Sequence, residues 1–249
     1  MDFSNDKLEW IEYDLLKDEP NVIALTFLRQ GGTSQNHFAT LNISDKVGDH
    51  PDCVKGNREV VKEFLKAKKI IYPDQQHKTS IVEVTDKNKD QHFACDGLVT
   101  KEKFVALAIA HADCQAALFY DPINNVIGAV HAGWRGLVQD IYKNTIEFMQ
   151  KKFNTKPSDI IVAVSACIGK DHAEFKNFKK EFPKEFWKYE IKDKLFDLQK
   201  IAEDQLLACG ILEKNIEIYD DCTFCNKKDY FSFRRDKDTG RNGSYIMLK

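Results

Sequence analysis

The sequence predicts an α+β fold in which layered mixed β-sheets are flanked by helices. Apolar runs of strand length recur along the 249 residues, and three segments show helical spacing. Neither a regular strand–helix alternation nor an all-β rhythm emerges. No repeat of fixed period and no Pro-, Gly- or Ser-rich linker divides the chain, so we expect residues 1–249 to form a single domain.

The first predicted elements are a strand and a helix. Residues 21–28 form an apolar run of strand length, which predicts a buried strand. Pro51 predicts a helix start, because Pro is favoured in the first turn of a helix. Val54, Val61 and Leu65 then recur at helical spacing, so the segment that follows Pro51 is predicted as helix.

The other strands are predicted from short apolar runs at residues 80–84, 104–110, 116–120, 126–130, 160–164, 216–219 and 245–248. Residues 137–153 have a helical period and predict a second helix. A third, amphipathic helix is predicted at 195–209, where Gly210 closes the segment. Residues 122–125 read Pro-Ile-Asn-Asn, a turn that would join the strands on either side as a hairpin.

Composition limits the classes of partner and the compartment. The 37 Lys+Arg and 39 Asp+Glu give a net charge of −2, so we expect no nucleic acid and no membrane as partner. Seven scattered Cys predict free thiols rather than a disulfide framework. The N-terminus lacks the pattern of a signal peptide. We therefore predict a cytoplasmic protein, and the oligomeric state stays open between monomer and homodimer.

Two predicted strands end in chemically reactive residues. Cys114 follows the strand at 104–110, and His131 follows the strand at 126–130. If the turn at residues 122–125 joins the strands at 116–120 and 126–130 as a hairpin, Cys114 and His131 lie at its open end, away from the turn. His77 stands in a polar loop. Joined in space, two His and one Cys would suit zinc, because three protein ligands leave a fourth coordination position open.

The run His131-Ala132-Gly133-Trp134-Arg135-Gly136 has features of an anion site. Its glycines relax the backbone, and the N-terminus of the helix that follows offers unpaired amides. Arg135 adds a planar, permanently charged fork that suits phosphate. The alternative is a Gly-rich turn with Trp134 in the core.

A second group of arginines lies near the C-terminus. Arg234, Arg235 and Arg241 stand among aromatic residues in a predicted loop. Such a loop could clamp a phosphate or stack on a base. The alternative is a surface loop in which Asp236 and Asp238 neutralise the arginines.

Cys222-Thr223-Phe224-Cys225 has the Cys-x-x-Cys spacing of zinc knuckles and redox motifs. A structural zinc site with four Cys ligands would need two more partners from scattered positions. A redox motif would be expected to open a helix, whereas this one follows a short strand. We therefore predict packed thiols.

Several motifs occur in order over nearly the whole chain: Leu41-Asn42, Val47-Gly48-Asp49, Asn57-Arg58, Asp96-x-Leu98-Val99-Thr100, Ala112-Asp113-Cys114, His131 to Gly136, and Phe231-Ser232-Phe233-Arg234-Arg235-Asp236 through Gly240-Arg241. This series resembles the laccase-domain family. Its members were formerly labelled multicopper polyphenol oxidases and are described as zinc-containing purine nucleoside phosphorylases with adenosine deaminase activity. The fold that the resemblance implies is layered, with mixed sheets.

The resemblance implies one zinc per chain, held by His77, Cys114 and His131. It assigns Arg58 to contact phosphate or ribose, and His111 matches no ligand position. Asp113, beside Cys114, is the candidate for proton transfer. The implied partners are inorganic phosphate and purine nucleosides, namely adenosine, inosine, guanosine and 5′-methylthioadenosine. Phosphorolysis would yield the free base and ribose 1-phosphate.

Three alternatives stay open. A copper-dependent polyphenol oxidase needs more histidine ligands than the seven His supply, although one copper at the same trio is conceivable. A metal-free cysteine hydrolase would use Cys114 as nucleophile and His131 as base. A non-catalytic binding protein would use zinc only to stabilise its fold.

Overall fold

A computed structural model describes residues 8–249 and confirms the α+β class. Two sheets share an apolar interior, and helices cover the outer face of each, which gives four layers. Within residues 8–249, no helix has the length and apolarity needed to cross a bilayer.

The strands are β1 (Trp10–Glu12), β2 (Val22–Phe27), β3 (Lys69–Ile71), β4 (Ile81–Val84), β5 (Gly97–Thr100), β6 (Val105–His111), β7 (Gln115–Asp121), β8 (Val126–Ala132), β9 (Ile161–Val164), β10 (Glu190–Lys192), β11 (Leu195–Phe196), β12 (Ile216–Ile218) and β13 (Asn242–Leu248). The α-helices are α1 (Pro51–Leu65), α2 (Trp134–Val138), α3 (Ile141–Phe153), α4 (Phe178–Glu181), α5 (Leu198–Ala208) and α6 (Phe233–Asp236).

Both large sheets mix parallel and antiparallel pairs. The first has the strand order β1-β2-β13-β6-β3, with β3 and β6 parallel. The second has the order β12-β9-β7-β8-β5-β4, with parallel pairs at both edges. β10 and β11 form a separate two-stranded ladder.

The sheet faces explain the continuous apolar runs in the sequence. In β7, Leu118 and Tyr120 face the first sheet, whereas Ala117 and Phe119 face the helices. A strand buried on both faces has no polar side, so it lacks the alternation of a half-exposed strand. Fully burying one such large apolar side chain stabilises the fold by about 1.5–3 kcal/mol.

Every predicted strand is present, and two helix predictions need correction. Residues 137–153 do not form one helix, because Asp140 has a φ of 57° and separates α2 from α3. The predicted helix at 195–209 begins only at Leu198, since Asp197 accepts a hydrogen bond from the Lys200 N–H as its N-cap. Gly210 (φ 89°) ends α5 as predicted.

The predicted hairpin is confirmed. β7 and β8 are antiparallel, and Ala116 lies opposite His131. Asp121 Oδ1 accepts the N–H groups of Ile123 and Asn124 at 2.9 and 3.0 Å, which fixes the turn. The opposite end of the hairpin therefore carries Cys114 and His131.

Candidate functional site

The structure brings the predicted zinc ligands together at one end of the space between the sheets. His131 lies on β8, Cys114 lies in the short β6–β7 connection, and His77 lies in the loop between β3 and β4. Their candidate ligand atoms all lie within 4.8 Å of one another. The rings of His77 and His131 meet edge to face, with centroids 4.6 Å apart. Two imidazoles and one thiol are a donor set that fits zinc.

Asp96 organises this cluster and is fully buried. Its Oδ1 lies 2.9 Å from His131 Nδ1, which leaves Nε2 of that ring for a metal. The same carboxylate accepts the backbone N–H groups of Gln76, His77 and Lys78 at 2.8–3.1 Å. These bonds hold His77 at a φ of 55°, a conformation that is uncommon for a residue other than glycine.

The charges in the cluster are mutually dependent. Burial would raise the pKa of the Cys114 thiol, but the adjacent imidazoles of His131 and His77 outweigh it and lower that pKa. Burial would lower the pKa of His131, but Cys114 and Asp96 together raise it. Burial would also raise the pKa of Asp96, but its hydrogen bonds from His131 and the backbone lower it. The site therefore favours a thiolate, which is the form of Cys that binds zinc.

Gly133 provides the space in which these ligands meet. A Cβ at this position would lie 3.2 Å from Cys114 Sγ and 3.2 Å from His77 Cδ2. A side chain at this position would therefore require Cys114 and His77 to shift by a few tenths of an ångström.

Replacing Gly133 with alanine is expected to weaken zinc binding on the order of tenfold, since it displaces ligands without removing them. Competition with a chromophoric chelator measures the affinity. Gly128→Ala in β8, the strand that ends just before Gly133, is the control, because a Cβ there would meet no atom closer than 3.5 Å. Equal zinc affinity in both variants would contradict this role for Gly133.

A cleft of about 440 Å³ opens onto the three ligands from one side. Arg58, Arg241 and Lys46 line it together with one acid, Asp45, so the lining carries a net positive charge. The Arg58 guanidinium stacks over Tyr72, with Cζ 4.2 Å from the ring centroid, and its Nε donates to the carbonyl of Ile43. Two of the arginines predicted to bind phosphate therefore share a cleft with the metal ligands.

His111 lines the same cleft, although it matched no ligand position. Its Nε2 lies 2.9 Å from the Ser244 hydroxyl. Burial lowers the pKa of His111 to about 3, so the ring is neutral near pH 7. Its Nδ1 is buried without a hydrogen-bond partner among the described residues, so the ring contributes to the cleft wall without adding charge.

A second cleft, of about 390 Å³, reaches Cys114 from the other side. Arg234 and Glu174 line it, and Phe233 borders both clefts. Nη1 of Arg234 donates to the carbonyl of His172 at 2.9 Å. The two clefts thus meet at the thiol and at one exposed aromatic ring.

Arg135 and Arg235 lie outside both clefts. Arg135 is exposed and stacks on Trp134, with Cζ 4.4 Å from the ring. Arg235 donates to the carbonyls of Thr223, Phe224 and Tyr230 and pairs with Asp236. The structure therefore does not bring these two predicted phosphate ligands to the metal cluster.

Asp113, the candidate for proton transfer, lines the second cleft beside Cys114, and its carboxylate is engaged in hydrogen bonds. Its carboxylate accepts the hydroxyls of Thr223 and Ser232 at 2.7 and 2.6 Å and the Arg234 N–H at 2.5 Å. These bonds tie the residue beside Cys114 to the segment that carries Phe233 and Arg234.

Sequence reasoning missed Asp96 as a site residue and His172 as a partner of the Cys-x-x-Cys pair. Asp96 was named only as part of the Asp96-x-Leu98-Val99-Thr100 motif, and nothing in its spacing relates it to His131. For His172 a signal was present, because His172-Ala173-Glu174 is a His-x-Glu run upstream of Cys222-x-x-Cys225. Zinc deaminases use that order of residues.

Comparisons with known proteins find relatives over most of the chain. Purine nucleoside phosphorylase YlmD of Geobacillus stearothermophilus is 32% identical over 238 residues, covering 88% of this chain and 87% of that protein. A purine nucleoside phosphorylase of Haemophilus influenzae is 32% identical over 242 residues, covering 92% and 95% of the two chains. These relatives support an enzyme of the same family.

Solved structures give the same result. The crystal structure of YlmD from Geobacillus stearothermophilus superposes with a TM-score of 0.87 at 28% identity, covering 96% of each chain. Neisseria meningitidis protein NMB0706 gives a TM-score of 0.83 at 28% identity, covering 98% of each chain. The family model described as "Multi-copper polyphenol oxidoreductase laccase" matches residues 23–249. The chain therefore belongs to this laccase-domain family.

Proposed function

We propose that the protein is a zinc-dependent purine nucleoside phosphorylase that also deaminates adenosine. Adenosine, inosine, guanosine and 5′-methylthioadenosine would be cleaved by phosphate to the free base and a ribose 1-phosphate. The observation that carries the proposal is the cationic cleft of Arg58, Arg241 and Lys46 that opens onto His77, Cys114 and His131. The names of the relatives support the same reaction.

Zinc would be held by His77, Cys114 and His131, the residues whose donors converge and are backed by Asp96. When bound, zinc supplies a Lewis acid that polarises an oxygen of the substrates. One copper could bind the same donors. A multicopper oxidase would need more imidazoles than this site gathers among the described residues, so zinc is the proposed occupant.

The arginines of the first cleft would place the phosphate. In phosphorolysis a phosphate oxygen attacks C1′ of the ribose while the purine leaves, and the transition state resembles an oxocarbenium ion. Arg58 and Arg241 offer fixed guanidinium donors that can hold an anion against that developing positive charge. Asp45 and the Tyr72 ring fix the position of the Arg58 guanidinium before substrate binds.

Phe233 is the candidate platform for the purine. The residue is 49% exposed and borders both clefts. The cationic groups of Lys237 and Arg241 lie 5.3 and 5.7 Å from its ring centroid. Stacking of a base on an aromatic side chain contributes about 1–3 kcal/mol, with little preference among bases. A platform of this kind suits an enzyme that accepts several purine nucleosides.

Asp113 would act by holding neighbouring residues in place. It anchors the segment that bears Phe233 and Arg234, and its carboxylate already accepts three hydrogen bonds. A proton-transfer role for Asp113 in deamination stays a prediction. It would require one of these bonds to open during the reaction.

Replacing Arg58 with methionine is expected to raise the KM for phosphate about 10–100-fold, since a hydrogen bond to a charged group contributes about 1.5–3 kcal/mol. Steady-state kinetics at varied phosphate measures the change. Arg135→Met removes the same charge outside both clefts and should leave the phosphate KM unaltered. Identical kinetics in the two variants would refute the assignment of Arg58.

Product analysis tests the reaction itself. Zinc-loaded protein incubated with each of the four nucleosides and phosphate should release the free base and a sugar 1-phosphate. Omission of phosphate should stop base release, whereas conversion of adenosine to inosine should continue. No turnover of any of the four nucleosides would overturn the proposed function.

The thiol and imidazole also favour a second candidate, a metal-free cysteine hydrolase. Without metal, the adjacent imidazoles lower the pKa of Cys114, and Cys114 and Asp96 raise that of His131. This is the charge arrangement of an activated cysteine nucleophile. Activity that survives chelation and disappears on alkylation would favour the hydrolase over the zinc enzyme.

A further inference from the structure

A second cluster of metal-binding side chains lies apart from the first. His172 comes from the loop between β9 and α4, and Cys222 and Cys225 come from the turn that follows β12. Their candidate ligand atoms all lie within 4.8 Å of one another. We propose that His172, Cys222 and Cys225 form a second zinc site, which fastens the 222–225 turn to the loop that follows β9.

The donors are chemically suited to zinc. Two thiols and one imidazole form a borderline-soft set, and the Cys-x-x-Cys turn presents both sulfurs to one side. His172 Nδ1 lies 3.5 Å from Cys225 Sγ, and the imidazole stacks on Phe224 with ring centroids 4.1 Å apart. The imidazole is therefore held in place before a metal arrives.

The backbone around Cys222 is arranged as in thiolate sites. The Gly169 N–H donates to Cys222 Sγ at 3.1 Å, and such bonds stabilise a thiolate ligand. A Cβ at position 169 would lie 3.0 Å from that sulfur, so only glycine allows this approach. Asp221 Oδ1 accepts the Cys222 N–H at 2.7 Å and fixes the start of the turn.

The surroundings favour a cation and leave a fourth coordination position accessible. A cleft of about 520 Å³ beside Cys222 has an acidic lining, in which two lysines, Lys170 and Lys200, stand against five acids: Asp171, Asp197, Glu203, Asp220 and Asp221. A dication would neutralise this concentration of negative groups, and water from the cleft can complete its coordination.

The second site would support the first through the turn it closes. Thr223, between the two cysteines, donates its hydroxyl to Asp113, the neighbour of Cys114. The carbonyl of His172 accepts a hydrogen bond from Arg234 in the second cleft. A metal at His172, Cys222 and Cys225 would thus fix two groups that position the segment beside the thiol.

A structural role fits better than a second catalytic centre. In zinc deaminases the Glu of the His-x-Glu run transfers protons at the metal. Here the corresponding Glu174 lines the second cleft, with Cys114 and Arg234, whereas the cleft next to Cys222 has other acidic groups. The order of the ligands along the chain resembles that of the deaminases, but Glu174 lines a different cleft from the one that borders Cys222.

Elemental analysis of the full-length protein, purified with reductant and zinc, tests the proposal. The wild type should carry two zinc ions per chain, one for each donor group. Cys225→Ser and His172→Gln should each lose one and keep the other, and Cys114→Ala should lose only its own. Cys53→Ser is the matched control, since this half-buried thiol belongs to neither group, and it should keep both.

Absorption spectra of the cobalt-substituted protein report the number of sulfur ligands and test the site independently. After cobalt replaces zinc, Cys114→Ala should retain strong thiolate-to-cobalt charge-transfer bands, because Cys222 and Cys225 supply two sulfurs. Cys225→Ser should lose most of that absorption and melt at a lower temperature than Cys53→Ser. Cys225 is exposed, so its replacement leaves the core intact.

Two results would overturn the proposal. One is a wild type with a single zinc that Cys114→Ala abolishes and Cys225→Ser leaves in place. The other is a Cys222–Cys225 disulfide in the intact mass of protein kept under reductant. A wild type that holds zinc only at His172, Cys222 and Cys225 would count against the proposed function and support the second site. Failure of the proposed function and failure of this proposal therefore give different results.

Discussion

Cys114→Ala is expected to reduce phosphorolysis of inosine by about 10³-fold or more, because Lewis-acid stabilisation by zinc is worth several kcal/mol in the transition state. The substitution removes one of three donors that lie within 4.8 Å of one another, so zinc bound there should also be lost. Initial rates at saturating inosine and phosphate, together with zinc content, measure both effects.

The control for Cys114→Ala is Cys53→Ala. Cys53 lies on α1, outside both metal-binding groups, and its removal should leave rate and zinc content unaltered. A Cys114→Ala protein with the full zinc content and the rate of the wild type would show that the cluster does not bind metal as assigned. Loss of rate with the full wild-type zinc content would instead indicate a nucleophilic thiol.

Asp96→Asn is expected to weaken zinc binding at the first site by about 10–100-fold, the usual effect of losing a carboxylate behind a histidine ligand. It should also lower the free energy of unfolding by about 3 kcal/mol, since it breaks a fully buried charged network. The asparagine amide would face the N–H groups of residues 76–78, which now donate to the carboxylate. Chelator competition and urea unfolding measure the two quantities.

Asp121→Asn separates the metal effect from the stability effect. Asp121 is also fully buried, and it accepts hydrogen bonds in the turn at the other end of β7. Its replacement should lower the free energy of unfolding but leave zinc affinity unaltered. An equal loss of affinity in the two variants would mean that Asp96 acts only through global stability.

Much of the fold could be predicted because the strands are buried on both faces and appear as uninterrupted apolar runs. The hairpin of β7 and β8 was predictable from its turn residues, and with it the proximity of Cys114 and His131. The break at Asp140 was not, because a residue with left-handed backbone leaves little trace in a helical period.

The site was predictable only in part. Cys114 and His131 lie at the open end of the predicted hairpin, whereas His77 joined them through family resemblance. Asp96 was part of a motif, but its bonds to the ligands appear only in the structure. A buried carboxylate that bonds three successive backbone N–H groups has no periodicity and no fixed spacing to its partners. The sequence also could not show which arginines of the C-terminal segment reach the clefts. Arg234 and Arg241 line them, whereas Arg235 donates to backbone carbonyls.

The most direct test of a zinc-dependent phosphorylase is the phosphorolysis rate of metal-free wild-type protein as zinc is added back. The rate should be negligible after chelation, return with zinc and stay low with copper. A full rate without metal would contradict zinc dependence and favour a cysteine mechanism. Restoration by copper alone, with oxidation of phenols, would favour the oxidase.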